Sequence, residues 1–214
     1  MKRLTTVACA VLLVAAAGQA HAERITAGVM AGGSFAKFGG DDAPDHLKTR
    51  SAFMGGGFVA YPINARLGVR GEVLYAQKGA EGDFLTDDGD IHTALYKLDY
   101  VDIPVLFTGE FPAGSSQFAF NVFAGPSFNF NVKHEAAVEE HGTLDLPYVK
   151  SFEFGAVVGA GVAYALDKFS LIGDVRYSMG VASLADDVNG QSVDVKNHGV
   201  GVMGGISFPI SAEK

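Results

Sequence analysis

The chain has 214 residues, with 24 Asp and Glu against 16 Lys and Arg for a formal net charge of −8; 48% of it is hydrophobic, and its mean hydropathy is +0.20. The acidic balance argues against a nucleic-acid binder, which needs a basic patch to displace counterions. Sparse charge and plentiful apolar residues exclude a disordered chain.

The first element is a secretory signal. Lys2 and Arg3 form its positive end, Val7 to Ala17 its apolar stretch, and Ala20-His21-Ala22 an A-x-A cleavage site. The apolar stretch is too short for a helical anchor, which needs roughly 18 apolar residues. Cys9 lies inside that stretch, too early for a lipid-attachment site. The expected division is residues 1–22 as signal peptide and 23–214 as one domain, with cleavage before Glu23. Cleavage removes the only cysteine, so an exported chain is expected to hold together without disulfides. A closed hydrogen-bonded sheet would supply that stability.

Beyond residue 23, period-two alternation dominates. Eight segments are predicted as strands: 24–37, 51–62, 65–78, 94–109, 117–132, 149–166, 168–180 and 197–210. In the third, Leu67, Val69, Gly71, Val73 and Tyr75 alternate with Gly68, Arg70, Glu72 and Leu74. In the fifth, Phe118, Phe120, Val122, Ala124, Phe128, Phe130 and Val132 face one way, and Asn121, Ser127, Asn129 and Asn131 the other. In the seventh, Phe169, Leu171, Gly173, Val175, Tyr177 and Met179 oppose Ser170, Asp174, Arg176 and Ser178, with Ile172 the exception.

Connections alternate in length. Short ones fall at Ile63-Asn64, at Pro112-Ala113-Gly114-Ser115-Ser116 and at Asp167. Long ones fall at Phe38–Arg50, Gly79–Thr93, Lys133–Tyr148 and Val181–Lys196, and carry Asp41-Asp42, Asp87-Asp88, Glu139-Glu140 and Asp186-Asp187. Tight turns at one end and long polar loops at the other predict an all-β, eight-stranded, antiparallel up-and-down transmembrane β-barrel in a bacterial outer membrane. Closure is required because hydrocarbon cannot satisfy an open sheet edge. Tyr61, Tyr164 and Phe208 are placed for an aromatic belt at the short-turn end, and Tyr96 and Tyr177 lie nearer the other. Gly55-Gly56-Gly57, Gly159/Gly161 and Gly204-Gly205 suit a narrow barrel with room for large side chains across the lumen.

The chemistry-bearing residues are few. Arg70, Glu72, Glu153, Asp174 and Arg176 fall on inward faces and are expected to form a charge network filling the lumen, in preference to an open ion path. No catalytic site, cofactor or metal is assigned. His198, Ser151 and the His134-Glu135 pair show no acid–His–Ser spacing and read as rim residues. His46, His92, His134, His141 and His198 lie near the outer loops and read as ordinary polar residues in preference to metal ligands. Asp87-Asp88-Gly89-Asp90 lacks the spacing and terminal Glu of a calcium loop.

Leu98-Asp99-Tyr100-Val101-Asp102-Ile103-Pro104-Val105-Leu106 resembles the Y-L-E-I-P-L-L type signature of the PorT-like outer-membrane β-barrel family. Phe123-Ala124-Gly125-Pro126-Ser127 resembles the family's A-G-P strand, and Gly155–Ala165 with Phe169–Tyr177 its G-x-G-x-x-Y and R-Y-x-x-G patterns. The resemblance spans most of residues 24–208 and implies an eight-stranded outer-membrane barrel, with little about activity. Pro104 has no ladder donor, so a bulge or local distortion is expected in the fourth strand. Asp102 is expected in the lumen, Asp99 outward near the rim, and the last strand to end at Phe208.

The expected function is a small outer-membrane barrel with a structural or surface-loop binding role. A lipid-modifying enzyme and a soluble periplasmic ligand-binding barrel are the alternatives. The expected partners are outer-membrane lipid, lipopolysaccharide and the barrel-assembly machinery, with no nucleic acid, and the chain is expected to be a monomer.

Overall fold

A computed structural model describes residues 25–44, 47–85, 91–112, 117–138, 142–145, 149–184 and 194–210. The expected signal peptide, the acid pairs at 87–88, 139–140 and 186–187, the turn at 113–116, and His46 and His141 lie outside them, as does the side chain of His92.

The strands are β1 (Ile25–Gly39), β2 (Lys48–Pro62), β3 (Leu67–Leu85), β4 (Ile91–Pro112), β5 (Phe118–Val138), β6 (Gly142–Asp145), β7 (Phe152–Ala165), β8 (Ser170–Gly180) and β9 (Lys196–Ile210). Every pairing is antiparallel, and β1 pairs with both β2 and β9, which closes the sheet. The eight long strands form the barrel, while β6, among the described residues, pairs with the outer end of β5 alone. Closure satisfies the wall's backbone groups within the wall, as hydrocarbon demands.

The alternation sorts the faces. Phe107, Val175, Val122, Val59, Leu171 and Val202 point outward and stay exposed, Phe107 at 65% and Val175 at 54%. An apolar band of this extent fits acyl chains and not water. Ile172 breaks the pattern because it faces inward, against the cluster of Met30, Met54, Phe58, Leu74, Ala76 and Met203. The lumen is narrow enough that glycine is needed opposite large groups. A Cβ on Gly159 would sit 2.5 Å from the Phe123 ring, and one on Gly201 would sit 3.0 Å from both Arg176 Cγ and Met54 Sδ.

Two expectations are corrected, and a third, at Pro104, is met as a local distortion without a bulge. The segments Gly79–Thr93 and Lys133–Tyr148 are not simply loops: β3 and β4 stay paired out to Leu85↔Ile91, and β5 runs to Val138, where β6 folds back on it. Their polar residues read as loop because these hairpin ends alternate without an apolar face. The strand β4 has 22 residues against 11 in β8, so one side of the barrel stands taller. The last strand continues past Phe208, because Ile210 still pairs with Ile25. Around Pro104 the β3 ladder skips the pairs between Gly71↔Val105 and Leu74↔Asp102 without changing register. The register shift lies instead between Asp99 and Tyr100, where β5 carries one extra residue.

The two short connections among the described residues are tight turns. The Asn64 side chain accepts from the Arg66 and Leu67 amides, both at 2.9 Å, and Leu166 N donates to Phe169 O at 2.8 Å. Both described ends, Ile25 and Ile210, lie on this short-turn side.

Candidate functional site

Inward residues of β3 and β8 meet across the lumen. These two strands are opposite in the ring, with β2, β1 and β9 between them on one side and β4, β5 and β7 on the other. They also run in the same direction. Arg70-Gly71-Glu72 on β3 therefore faces Asp174-Val175-Arg176 on β8, cation to anion at both levels. Arg70 Nη2 lies 2.8 Å from Asp174 Oδ2, and Arg70 Nε lies 2.8 Å from Glu72 Oε1. Arg176 reaches Glu72 Oε2 at 2.5 Å and Asp174 Oδ2 at 2.9 Å. Each carboxylate thus bridges both guanidiniums, and the ring of four is formally neutral. Phe123 lies against both cations, its centroid 4.6 Å from Arg70 Cζ and 5.3 Å from Arg176 Cζ. Burial this deep is tolerable only because every charge has an opposite partner and planar donors to hold it.

Of the five expected network residues, four converge here. Glu153 does not. It belongs to a second level, nearer the long hairpins. Register explains this: Asp102, Asn129 and Glu153 form one row across β4, β5 and β7. Lys78 bonds Asp102 at 2.8 Å, and its Nζ lies 4.7 Å from the Tyr100 ring centroid. Asn197 Nδ2 donates to Glu153 Oε2 at 3.0 Å and to the Tyr100 hydroxyl at 3.1 Å. Lys78, Asp102, Ser127, Asn129, Glu153 and Asn197 line a cavity of about 20 Å³.

An apolar cap covers this level. Leu184, from the β8–β9 connection, is buried with Leu98 and Tyr100, and Phe38, Val149 and Val195 pack around them. Its amide donates to Val195 O and its carbonyl accepts from Lys150 N, both at 2.8 Å.

Sequence reading placed Asp102 in the lumen, but missed Lys78, Tyr100, Asn197 and Leu184 as site residues. Lys78 and Tyr100 were within reach, since alternation from Glu72 and from Asp102 puts each on the inner face. Leu184 sits in a connection with no periodicity to read. Asp99 lies on the opposite face of β4 from Tyr100, screened by Tyr75, whose hydroxyl donates to it at 2.6 Å, and by Arg50 at 4.0 Å. Among the described histidines, His134 Nδ1 meets Asn131 at 2.9 Å and His198 Nδ1 meets the Tyr177 hydroxyl at 3.1 Å. Neither has a serine partner in these contacts, and among the described residues no group of three or more His, Cys, Asp or Glu is gathered to hold a metal.

Residues 17–186 match the family model described as outer membrane protein beta-barrel domain. The chain belongs to that family. This outer-membrane barrel is similar in structure to Neisserial surface protein A at a TM-score of 0.51 and 17% identity, over 86% of this chain and 97% of that one. Ail, the attachment invasion locus protein of Yersinia pestis, solved with the heparin analogue sucrose octasulfate, aligns at a TM-score of 0.44 and 16% identity over 87% of this chain and 100% of its own. OmpT, an outer membrane protease of Escherichia coli, aligns at 0.38 and 11% identity over 91% of this chain and 99% of its own. No curated protein matches the sequence. The family places the barrel in the bacterial outer membrane and sets aside the soluble periplasmic alternative. The broader outer-membrane barrel class is thereby established; the PorT-like group within it is a finer assignment.

Proposed function

We propose that this barrel is a closed, non-catalytic platform that stiffens the outer membrane and presents its tall hairpins for binding, its lumen filled and not conducting. The observation carrying this reading is the four-residue ion ring tying β3 to β8 across the full width of the lumen. An eight-stranded barrel is just wide enough for side chains to fill it, and here guanidiniums, Phe123 and the Leu184 cap do so. The reading includes export by cleavage after Ala22, insertion by the barrel-assembly machinery and a monomeric state. It also includes membership of the PorT-like group, on the Leu98–Leu106 and Phe123–Ser127 segments. Asp102 and Ser127 of those segments both line the lumen cavity.

Lipopolysaccharide is the partner favoured at the outer rim. Lys37 and His198 are register partners on β1 and β9, and Tyr177 stacks on the His198 ring at 6.3 Å between centroids. Lys37 is exposed on the face that also carries Phe35. Cationic and aromatic groups there suit anionic headgroups above an apolar band. Against the lipid-modifying alternative stands the engagement of His134 and His198 with Asn131 and Tyr177.

Planar-bilayer recording of the purified barrel tests closure, with no discrete conductance steps expected; steady unitary currents would overturn it. Lipid A mass spectra from expressing and deleted cells should be identical, and any added or missing acyl group would restore the enzyme reading.

A further inference from the structure

The second level of the lumen differs from the first in its charge balance. Arg70 and Arg176 match Glu72 and Asp174, and Lys78 matches Asp102. Among the described residues, Glu153 is left over. Its side chain is 2% exposed, and its hydrogen-bond partner in the wall, Asn197, is neutral. Among the described residues, two acceptor atoms here have no hydrogen-bond donor: Glu153 Oε1 and Asn197 Oδ1, both on residues that are more than nine-tenths buried and line the 20 Å³ cavity.

We propose that this cavity is a binding site for one small monovalent cation of sodium size, held by Glu153 Oε1 and Asn197 Oδ1 with the neighbouring oxygens of Asn129, Ser34 and Ser127 within the same wall. Three features select that ligand. Two orphan acceptors in one cavity need a partner that is donor-like to both. The unmatched carboxylate needs a positive charge, which a water molecule would not supply. A volume of about one water-sized sphere admits a desolvated alkali ion but no organic cation. A hard cation with an all-oxygen ligand set follows the ordinary preference of such ions. A proton on Glu153 would settle the charge but leave Asn197 Oδ1 without a donor. The site sits between the ion ring and the Leu184 cap, so the bound ion would be an integral part of the packed lumen. The inference does not depend on whether the barrel binds a surface partner.

The test uses the barrel purified from outer membranes in detergent, with sodium chloride exchanged for N-methylglucamine chloride at constant ionic strength and pH. Because the ion binds the folded state alone, Tm should climb with sodium and keep rising by a steady increment per tenfold once the site's dissociation constant is passed. Glu153→Gln should abolish the sodium dependence, and Asn197→Asp should move its onset to lower sodium. A wild-type Tm indifferent to sodium would overturn the proposal, as would stabilisation by acid alone that Glu153→Gln removes, which would mark a protonated glutamate. Should Glu153→Gln fail to fold, sodium-23 relaxation on the wild-type barrel decides: saturable broadening at one ion per chain supports the site, and its absence refutes it.

Discussion

The two levels of the lumen solve the same problem differently. The ion ring joins opposite walls through planar donors, closes its charges among four residues and leaves no room. The Glu153 level gathers its groups from β3, β4, β5, β7 and β9, holds one carboxylate on neutral partners and lines a small cavity. The ring is therefore where truncation should cost most, and the Glu153 level is where the barrel can tolerate change or take up a ligand. A buried charge network is stabilising relative to its broken form, not relative to an apolar core.

That distinction gives the largest expected effect. Arg176→Met removes one cation and leaves Glu72 and Asp174 sharing Arg70, which should cost about 3–5 kcal/mol. Removing Glu72 and Arg176 together, as a paired Leu and Met substitution, should cost far less, because no uncompensated charge remains. Urea unfolding in lipid vesicles, read by circular dichroism and by gel mobility of unboiled samples, measures both. A double variant as weak as the single one would show that the ring stabilises through its own attraction and not through mutual cancellation.

The next effect tests the face assignment on which both levels depend. Val175 lies one residue from both Asp174 and Arg176 yet points outward at mid-strand. Val175→Arg should cost about 2–4 kcal/mol at the bilayer midplane, where neighbouring positions hold charges in the lumen. The same unfolding assay applies, and a neutral outcome would mean that the outward face meets water.

A smaller pair compares how tightly each level is packed. A Cβ on Gly159 meets the Phe123 ring at 2.5 Å and Val175 O at 2.6 Å, one of them fixed backbone. Gly159→Ala should cost about 1–3 kcal/mol as overpacking. A Cβ on Gly180 meets the Glu153 carboxylate end, with Cδ at 3.2 Å, which can swing into the cavity. In sodium-free buffer Gly180→Ala should be near neutral, since the gain from restricting a strand glycine offsets a small shift. Equal costs would erase the difference between the levels.

These contrasts also mark how far the sequence could be read. All eight barrel strands follow from period-two alternation, because one face meets lipid and the other a crowded lumen, so any slip of one residue is penalised everywhere. The ring was legible for the same reason, as Arg70/Glu72 and Asp174/Arg176 repeat a charge pair at spacing two. Which inward residues share a level was not legible. That depends on stagger between strands, and the extra residue in β5 opposite Asp99–Tyr100 shifts it locally. Glu153 was assigned to the ring on its face alone, and only its register with Asn129 and Asp102 puts it elsewhere. The cap residue Leu184 is held by bonds to Val195 and Lys150 that no local pattern encodes.

The smallest expected effect lies at the outer end of β9, and it separates the rim from both lumen levels. Asp194 accepts from Lys196 Nζ at 2.8 Å, and that ammonium holds its carboxylate below the usual carboxylate range. Its amide in turn donates to Asp42 Oδ2 at 2.8 Å, and Asp42 N donates to Asp194 O at 3.2 Å, so the β1–β2 connection is tied to the start of β9. A carboxylate with a depressed folded pKa contributes stability that is present above its ordinary pKa near 4 and is lost as pH falls through the lower folded value. The Asp194 carboxylate also accepts from the Asp41 backbone amide, and this part of the tie should therefore be intact at neutral pH and loosen only below about pH 4. The Asp194 side chain is at the surface, so added salt should weaken the contact too, while the ion ring, screened by the wall, should not respond. Hydrogen exchange at the Asp41 amide across a pH and salt series reads this directly: faster exchange at low pH with the amides of β3 and β8 unchanged is the expected result. Loss of protection in those strands at the same pH would mean that the rim and the lumen unfold as one unit.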